Sequence, residues 1–460
     1  MTVLGARRYF VRAMSGQGTV AGSGCSGPRR RTRTTTALAS GLLGLSLVAA
    51  ACGGGGDAAE GDGNVQLEFL WWGSDTRHAY TQELIDLYEE RNPGVTIEGS
   101  FTGWDGYWDR LATSVAGGET PDVLQMESRY VGEYASRGSL LALDDHLDDG
   151  IDISDHDEET LVTGQLDGST YALPTGVNAR TLIADPQAFE DAGVEVPDDE
   201  AWSWEDMIRS AASVTEGSGG DVFGLQSIGG NDTNIEVFAR QRGEALFNDD
   251  GSVGVSKETL VEFWTLAEQA RESGAEPRPS LTVEVEAGGV DQSLLATNRG
   301  ALGFWWTNEL SAMSEASGRD LELLRFPGET TEQQPGMYLK PAMFWSIGAD
   351  TEHPEEAAKF VDFLLNDAEA AEITLSDRGL PANISIRDQI SGQLTEADQK
   401  SAAFVEEISP DLQPPPPVPP QGAGEVAAIA EQIHERLLFD QMTVEEAAEE
   451  FLSQVEAATS

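Results

Sequence analysis

The chain has 460 residues, and 80 acidic residues against 28 basic ones give it a net charge of −52 at neutral pH. A surface this negative repels nucleic acid and anionic lipid, because both are bound through clustered lysine and arginine. It also keeps a protein soluble and monomeric. We therefore expect a monomer with no nucleic-acid partner, and the length leaves room for two domains.

The N-terminal segment predicts export. Four arginines between residues 29 and 33 precede an apolar run over 37–51, which is shorter than the about 20 residues that a membrane-spanning helix needs. This order is typical of a signal peptide, here residues 1–51. Cys52 follows small residues and resembles the lipid-modified cysteine of a bacterial lipoprotein; an ordinary cleavage site with an incidental cysteine is the alternative. The glycine-rich stretch 52–63 predicts a flexible tether, so we expect a protein held by lipid at the extracellular face of the cell membrane.

Cysteine usage excludes one kind of chemistry. Cys25 lies ahead of the predicted cleavage site, so Cys52 is the only cysteine of the predicted mature chain. An intramolecular disulfide is therefore excluded, and we expect neither a cysteine-based zinc site nor a cysteine nucleophile.

The first predicted elements form a β-α-β unit. Residues 65–71 read as an apolar strand, apolar residues recur at helical spacing over 80–88, and a second strand begins at Val95. This order predicts a parallel sheet. Ligands of such sheets bind beyond the carboxyl ends of the strands, which is where residues 71–75 fall.

The later elements continue the alternation of strand and helix. Strand patterns cover 122–126, 171–189, 300–306 and 341–349, and helical patterns start at Ser203, cover 353–367 and recur twice after residue 425. Ser203 is a favoured N-cap, and acidic residues follow it in the first turn. The proline-rich stretch 414–424 cannot join a sheet interior. We therefore predict an α/β fold.

Enzyme motifs are absent from the sequence. It contains no nucleophile elbow, no Ser-x-x-Lys, no His-Glu-x-x-His and no P-loop. The five histidines are scattered and look like surface residues: His78, His146, His156, His353 and His434. The acidic stretch 144–159 does not fit a calcium-binding loop. We expect no metal and no cofactor, although the 80 acids leave a glycosidase open, since that enzyme needs only two placed carboxylates.

Several stretches together resemble one family. They are "EFLWWGSD", "ELIDLYEERNPGVTI", "LATSVAGGETPDVLQM", "YALPTGVNARTLIADPQAF", "NRGALGFWW" and "RGLPAN". Their order and spacing resemble the extracellular solute-binding proteins of bacterial ABC sugar importers, the group that includes maltose-binding protein. The resemblance implies a substrate-binding lipoprotein that captures an extracellular sugar or oligosaccharide and delivers it to permease subunits. The ATPase would be a separate chain, since this one has no P-loop.

The resemblance also implies a two-lobe fold of the type II periplasmic-binding kind, with the ligand cleft between lobes joined by crossing strands. We expect lobe 1 to comprise 64–176 and about 335–382, and lobe 2 to comprise 177–334 and about 383–460. Hinges are expected near 176–178, 326–334 and 381–386, where binding would close the lobes.

Sugar rings have flat C–H faces and hydroxyl edges, so their sites combine aromatic rings with carboxylates, amides or arginines. On this basis and on the resemblance, we assign ligand contact to Trp72, Asp75, Arg77, Trp104, Met126, Glu127, Asn178, Trp305, Trp306 and Arg378. Neighbouring strand residues point to opposite faces, so within the pairs 71/72 and 305/306 we expect Trp72 and Trp306 to face the cleft. Residues 227–231 and the loop near Gln421 should border it.

Alternatives stay open for residues and for function. Core packing is the alternative for any one tryptophan, and a surface ion pair is the alternative for Asp75, Arg77 and Arg378. A polyamine or other cation receptor of the same fold and a secreted glycosidase are the alternative functions. The acidic surface favours cations, whereas tryptophans at predicted strand ends favour a sugar. A uronate could pair with Arg77 and Arg129, and neutral oligosaccharides are equally open.

Overall fold

The computed structural model describes residues 64–460, apart from 74, 148, 149, 157 and 342. The predicted signal peptide, Cys52 and the tether therefore lie outside the described residues. The described residues belong to one compact unit, 61–460, so the lobe boundaries stay a prediction. In this part of the chain no helix has the length and hydropathy needed to cross a membrane.

Thirteen strands occur in the described residues. They are β1 (Val65–Trp72), β2 (Val95–Thr102), β3 (Val123–Met126), β4 (Gln165–Leu166), β5 (Ser169–Thr170), β6 (Leu173–Pro174), β7 (Gly176–Ala184), β8 (Phe223–Leu225), β9 (Gly300–Trp306), β10 (Glu322–Leu324), β11 (Leu339–Lys340), β12 (Phe344–Ile347) and β13 (Leu380–Pro381). Each predicted strand contains one or more of these elements, but the pattern over 171–189 divides into β6 and β7, and its last residues, 186–189, are helical.

Sixteen α-helices occur in the same residues. They are α1 (Asp75–Arg91), α2 (Trp104–Gly117), α3 (Ser128–Ser136), α4 (Glu158–Leu161), α5 (Pro186–Ala192), α6 (Trp204–Gly217), α7 (Asp232–Arg240), α8 (Lys257–Glu272), α9 (Pro279–Ala287), α10 (Leu310–Ser317), α11 (Pro354–Asn366), α12 (Ala368–Thr374), α13 (Ile384–Ile390), α14 (Glu396–Ile408), α15 (Val426–Leu438) and α16 (Val444–Ala458). Ser203 caps α6 as predicted: its Oγ accepts the Asp206 N–H at 3.1 Å, and Asp206 Oδ2 accepts the Ser203 N–H at 3.1 Å.

The first sheet has the strand order β2-β1-β3-β12-β6. β1 runs parallel to β2 and to β3, which confirms the predicted β-α-β unit. Alternate residues of β1 enter different cores: Trp71 packs with Trp345, whereas Trp72 packs with Tyr107. The carboxyl ends of β1 and β3 consequently meet at one edge of this sheet.

The second sheet has the order β10-β7-β9-β8, with β11 and β13 also paired to β7. All nine residues of β7 are buried, and its neighbours β9, β10, β11 and β13 are antiparallel to it. Only Thr175 separates β6 of the first sheet from β7 of the second. The chain therefore crosses between the sheets where the sequence predicts the first crossing.

Residues 414–420, here called the proline segment, have no regular secondary structure. The segment touches elements beside both sheets. Arg240 at the end of α7 donates to the Pro414 carbonyl at 2.6 Å, and Val418 packs with the aromatic core around Trp72. A Cβ at Gly132 in α3 would lie 2.9 Å from the Pro419 carbonyl oxygen, so α3 needs glycine there to let the segment approach.

Two histidines are not surface residues, which corrects the sequence-based expectation. His156 and His434 are 7% and 3% exposed. His434 lies on the inner face of α15, where its Nε2 is 3.1 Å from Ser227 Oγ. Burial lowers the pKa of His434 to about 4, with a further small contribution from Arg271, so its ring is neutral at physiological pH.

Candidate functional site

The edge of the first sheet carries a cluster of aromatic rings. The Trp72 ring centroid lies 5.2 Å from that of Trp104 and 4.9 Å from that of Tyr107, both in edge-to-face geometry. Trp72 is 6% exposed because Trp104, at the start of α2, covers it, and Trp104 itself is 40% exposed. Trp104 therefore presents the accessible aromatic surface at this edge.

The edge of the second sheet encloses a cavity of about 300 Å³, here called the tryptophan cavity. The carboxyl ends of the parallel strands β8 and β9 open into it, which brings Ser227 close to Trp306. It is lined by Arg180, Gln226, Ser227, Ile228, Gly230, Asn231, Asp232, Asn234, Glu286, Phe304, Trp305, Trp306, Glu309, Ala427 and Glu431. Its size is that of small-molecule sites. Four of the residues 227–231 line this cavity, and their expected place at a ligand cleft stays a prediction.

Both tryptophans of the 305/306 pair line this cavity, whereas we expected only Trp306. The strand alternation ends here because Trp306 is the last residue of β9 and a 3-10 turn follows. Trp305 also packs partly against the core around Ile183. Its Nε1 is buried and has no hydrogen-bond partner among the described residues.

Charged groups surround Trp306. The Arg180 guanidinium and the Lys340 ammonium each lie 5.5 Å from its ring centroid, within cation–π range. Its backbone N–H donates to Glu309 Oε2 at 2.8 Å. Burial lowers the pKa of Arg180 to about 10 and raises that of Glu309, while each charge favours the ionised form of the other. This end of the cavity is consequently close to electrically balanced.

Lys340 connects this cavity with the first sheet. Its Nζ lies 3.9 Å from Oε1 of Glu127, the residue that follows β3. Glu127 is 6% exposed, and its carboxylate caps α3 by accepting the Arg129 N–H at 2.9 Å. Glu127, Lys340 and Trp306 therefore lie in one group between the two sheets.

Asn178 lies next to this group. It pairs with Lys340 in the β7–β11 register and is 2% exposed. Its Oδ1 has no hydrogen-bond partner among the residues that the structure describes. An unsatisfied buried amide oxygen is costly, so this atom would gain from a hydrogen bond with water or with a ligand hydroxyl.

Of the ten predicted contacts, Trp305 and Trp306 line the tryptophan cavity, and four lie apart from all the groups described above: Met126, Asp75, Arg77 and Arg378. Met126 is fully buried beside Phe344 in the first sheet, because β3 is covered on both faces and all four of its residues are buried. Asp75 is exposed in the first turn of α1, and no wall of the tryptophan cavity includes it. We leave both out of the proposed site.

Arg77 and Arg378 join α1 to the segment after α12. Arg77 Nε lies 2.6 Å from Asp377 Oδ2, the kind of ion pair that was the alternative for this residue. Arg378 is 3% exposed; it donates to Tyr80 Oη at 2.5 Å and to Thr81 Oγ1 at 3.1 Å, and its guanidinium lies 4.9 Å from the Trp345 ring. These arginines hold helix and loop together, and the expected ligand contact of Arg378 is replaced by a buried structural role.

Sequence reasoning missed Arg180, Lys340, Glu286 and Glu431. Arg180 and Lys340 lie on β7 and β11, and their pairing across the chain has no local sequence signal. Glu286 and Glu431 lie on α9 and α15 among many other acidic residues. Only the tertiary fold distinguishes them from surface charges.

The chain thus has two α/β sheets linked at Thr175, with an aromatic cluster at the edge of the first and an aromatic and charged cavity at the edge of the second. Such an arrangement suits a receptor for a small solute. A family model described as bacterial extracellular solute-binding protein matches residues 72–371, and the chain belongs to this family.

Known proteins agree with this assignment. An uncharacterised lipoprotein in the oleD 5′ region of Streptomyces antibioticus is 29% identical over 362 residues, covering 76% of each chain. The diacetylchitobiose binding protein DasA of Streptomyces coelicolor is 22% identical, over 80% of this chain and 87% of DasA. The solved structure of an extracellular solute-binding protein family 1 from Alicyclobacillus acidocaldarius is 27% identical, with a TM-score of 0.69 over 86% of this chain and 98% of that one.

Proposed function

We propose that this protein captures a sugar or oligosaccharide outside the cell and delivers it to the permease of an ABC importer. One observation carries the proposal: two tryptophans, a guanidinium and several carboxylates line one cavity of about 300 Å³. Indole rings suit the C–H faces of a sugar, and the polar groups suit its hydroxyl edge. The name of the relative DasA, a diacetylchitobiose binding protein, supports a saccharide ligand.

The proposed binding site comprises Trp104, Glu127, Asn178, Trp305 and Trp306, supplemented by Arg180, Lys340 and Glu309. Trp72 supports Trp104 from behind. Lobe 1 (64–176 and about 335–382) would close onto lobe 2 (177–334 and about 383–460) about the crossing near Thr175. This motion would bring the aromatic edge of the first sheet onto a ligand in the tryptophan cavity.

The proposed partners are two permease subunits and a separate ATPase chain, with the protein itself a monomer. Anchoring through a diacylated Cys52 would keep the receptor beside the permease, and the lipoprotein name of the Streptomyces antibioticus relative supports it. Replacing Cys52 with alanine should abolish incorporation of a labelled fatty acid and release the protein into the medium. Retention at the membrane by the variant would contradict lipid anchoring.

Titration calorimetry with a panel of neutral, acidic and amino saccharides tests the ligand class. Spermidine and a reducing-end assay run beside it. We expect at least one saccharide to bind and to remain intact. Binding of spermidine alone would favour the polyamine receptor, and release of new reducing ends would favour the glycosidase.

A further inference from the structure

The tryptophan cavity has a second end whose charges are not balanced. Ser227, Glu286 and Glu431 line it, and we call these residues the acidic end. Glu286 faces Ser227 at this end, and the charges of both Glu431 and Glu276 repel its carboxylate. No lysine or arginine lies within 4.0 Å of Glu286 or Glu431 among the residues that the structure describes.

A second buried acid stands behind this end. Glu276 is 3% exposed, and its Oε1 accepts the N–H of Ile228, a residue of the cavity wall, at 2.9 Å. Its Oε2 is buried without a hydrogen-bond partner among the described residues. Burial, together with repulsion from Glu286, raises the pKa of Glu276 well above its ordinary value. Neither acid has a lysine or arginine within 4.0 Å in the described part of the chain, and the more distant Arg271 lowers the pKa of Glu276 without offsetting the rise.

The neighbouring histidine does not supply a cation either. His434 contacts Ser227 through Nε2, but burial keeps its ring neutral. Buried carboxylates are stable when a cation or several donors accompany them. Two carboxylates and a hydroxyl at the end of a cavity with indole walls suit a group that carries several N–H donors and one positive charge.

We propose that the preferred ligand is an amino saccharide, whose protonated amine is held by Glu286 and Glu431 while a sugar ring lies on Trp305 and Trp306. The inference rests on the proposed function and specifies its substrate class. The balanced end, with Arg180 and Glu309, receives the hydroxyl-bearing part of the same ligand. Only the acidic end distinguishes an amino sugar from a neutral one.

The test compares two ligand series that differ on every ring, which carries a charged amine in one series and a neutral acetamide in the other. Glucosamine oligomers and N-acetylglucosamine oligomers of equal length are titrated into the protein, with spermidine and calcium ions as further arms. We expect the glucosamine oligomers to bind about tenfold more tightly or better, because a hydrogen bond to a charged group is stronger than one to a neutral group. The matched variants are E286Q and E431Q, with E435Q, an exposed acid on the same helix as Glu431 but outside the cavity, as the control.

E286Q should remove most of this preference and leave N-acetylglucosamine binding within about twofold. E431Q removes the second carboxylate of the acidic end at an exposed position, where the substitution does not endanger folding. E435Q should change the affinity for neither glucosamine oligomers nor N-acetylglucosamine oligomers. Two outcomes would overturn the inference and leave the proposed function intact. One is equal or tighter binding of the acetylated oligomers, and the other is binding of another sugar without binding of glucosamine oligomers. Binding of spermidine or calcium ions without binding of any saccharide would overturn both the inference and the proposed function. A preference for glucosamine oligomers that is unchanged in E286Q and E431Q would overturn the inference alone.

Discussion

Trp306 combines two kinds of contact in one side chain. Its ring faces a cavity and lies near two cations, while its backbone is held by Glu309. Tryptophan supplies a large, flat contact area and often carries much of a site's binding energy. Loss of the Trp306 ring should therefore weaken saccharide binding more than loss of any other side chain of the site.

W306A should weaken binding of the best saccharide by between about tenfold and about a hundredfold. Calorimetry measures the affinity, and thermal unfolding checks that the variant is folded. F439A is the matched control, since Phe439 is 44% exposed at the end of α15 and lines no part of the cavity. Equal losses in both variants would show that the cavity is not the binding site.

The raised pKa of Glu286 predicts that the stability of the protein depends on pH. Burial, followed by the charge of Glu431, raises its pKa to about 7, while the hydrogen bond from Ser227 opposes the shift. Glu276 also faces it, and His434 nearby is neutral. A raised pKa means that the protonated acid is favoured in the folded state. Its stabilising contribution is thus complete below about pH 4.5 and is lost as the pH rises through about 7.

E286Q keeps a hydrogen-bonding group without the charge. Relative to the variant, the unmodified protein should lose on the order of 2 kcal/mol of unfolding free energy between about pH 5 and about pH 8. Urea unfolding at several pH values measures the difference. E435Q should follow the unmodified curve, and parallel curves for E286Q would show that Glu286 titrates normally.

At the scale of elements, the proline segment depends on side chains for its hydrogen bonds, because proline offers no N–H. Arg240 supplies the main one: it donates to Pro414 O at 2.6 Å and to Gly336 O at 3.0 Å. Its guanidinium also lies 4.8 Å from the Tyr338 ring and 3.9 Å from the buried Glu236. One arginine therefore fastens the segment to α7.

R240M should lower the unfolding free energy by on the order of 3 kcal/mol, because it leaves Glu236 buried without its partner. R209M is the control, since Arg209 is 71% exposed in a surface pair and should change stability by no more than about 0.5 kcal/mol. Chemical unfolding measures both. Similar small changes in the two variants would mean that Arg240 does not hold the segment.

Local patterns predict most of these elements, and they fail where contacts are long-range. Periodicity identifies β1 and α1, and the Ser203 cap identifies the start of α6. The tryptophans of the site are visible because they follow predicted strands. Lys340 and Glu286 have no such signal, since pairing across the sheet and packing of distant helices place them. The same limit explains Arg378, whose buried partners Tyr80 and Thr81 lie far away in the chain.

At the scale of the whole molecule, the single residue between β6 and β7 restricts where the sheets can rotate. The neighbouring crossing strands β11 and β13 pair with β7 within Gly176–Ala179. Rotation about these pairs is the simplest way to open the site to a ligand and to close over it. The proline segment, which touches both sides, must move with such a rotation.

Binding of the preferred saccharide should therefore reduce the radius of gyration measured by small-angle X-ray scattering, toward the about 21 Å expected for a compact chain of this size. W306A at the same saccharide concentration is the control, since it should stay at the unliganded value. An unchanged radius on saturation would indicate a rigid receptor.

The complete burial of β7 has a consequence for its amide protons. Residues Arg180–Ala184 pair with β9 on one side, whereas Gly176–Ala179 pair only with the short strands β11 and β13. Deuterium should therefore enter the first half of this strand sooner than the second, because short pairings open at lower free energy. A ligand that closes the lobes would slow amide exchange in the first half of β7 alone. The first half would then report the closure, and the second half would serve as an unchanged reference in the same strand.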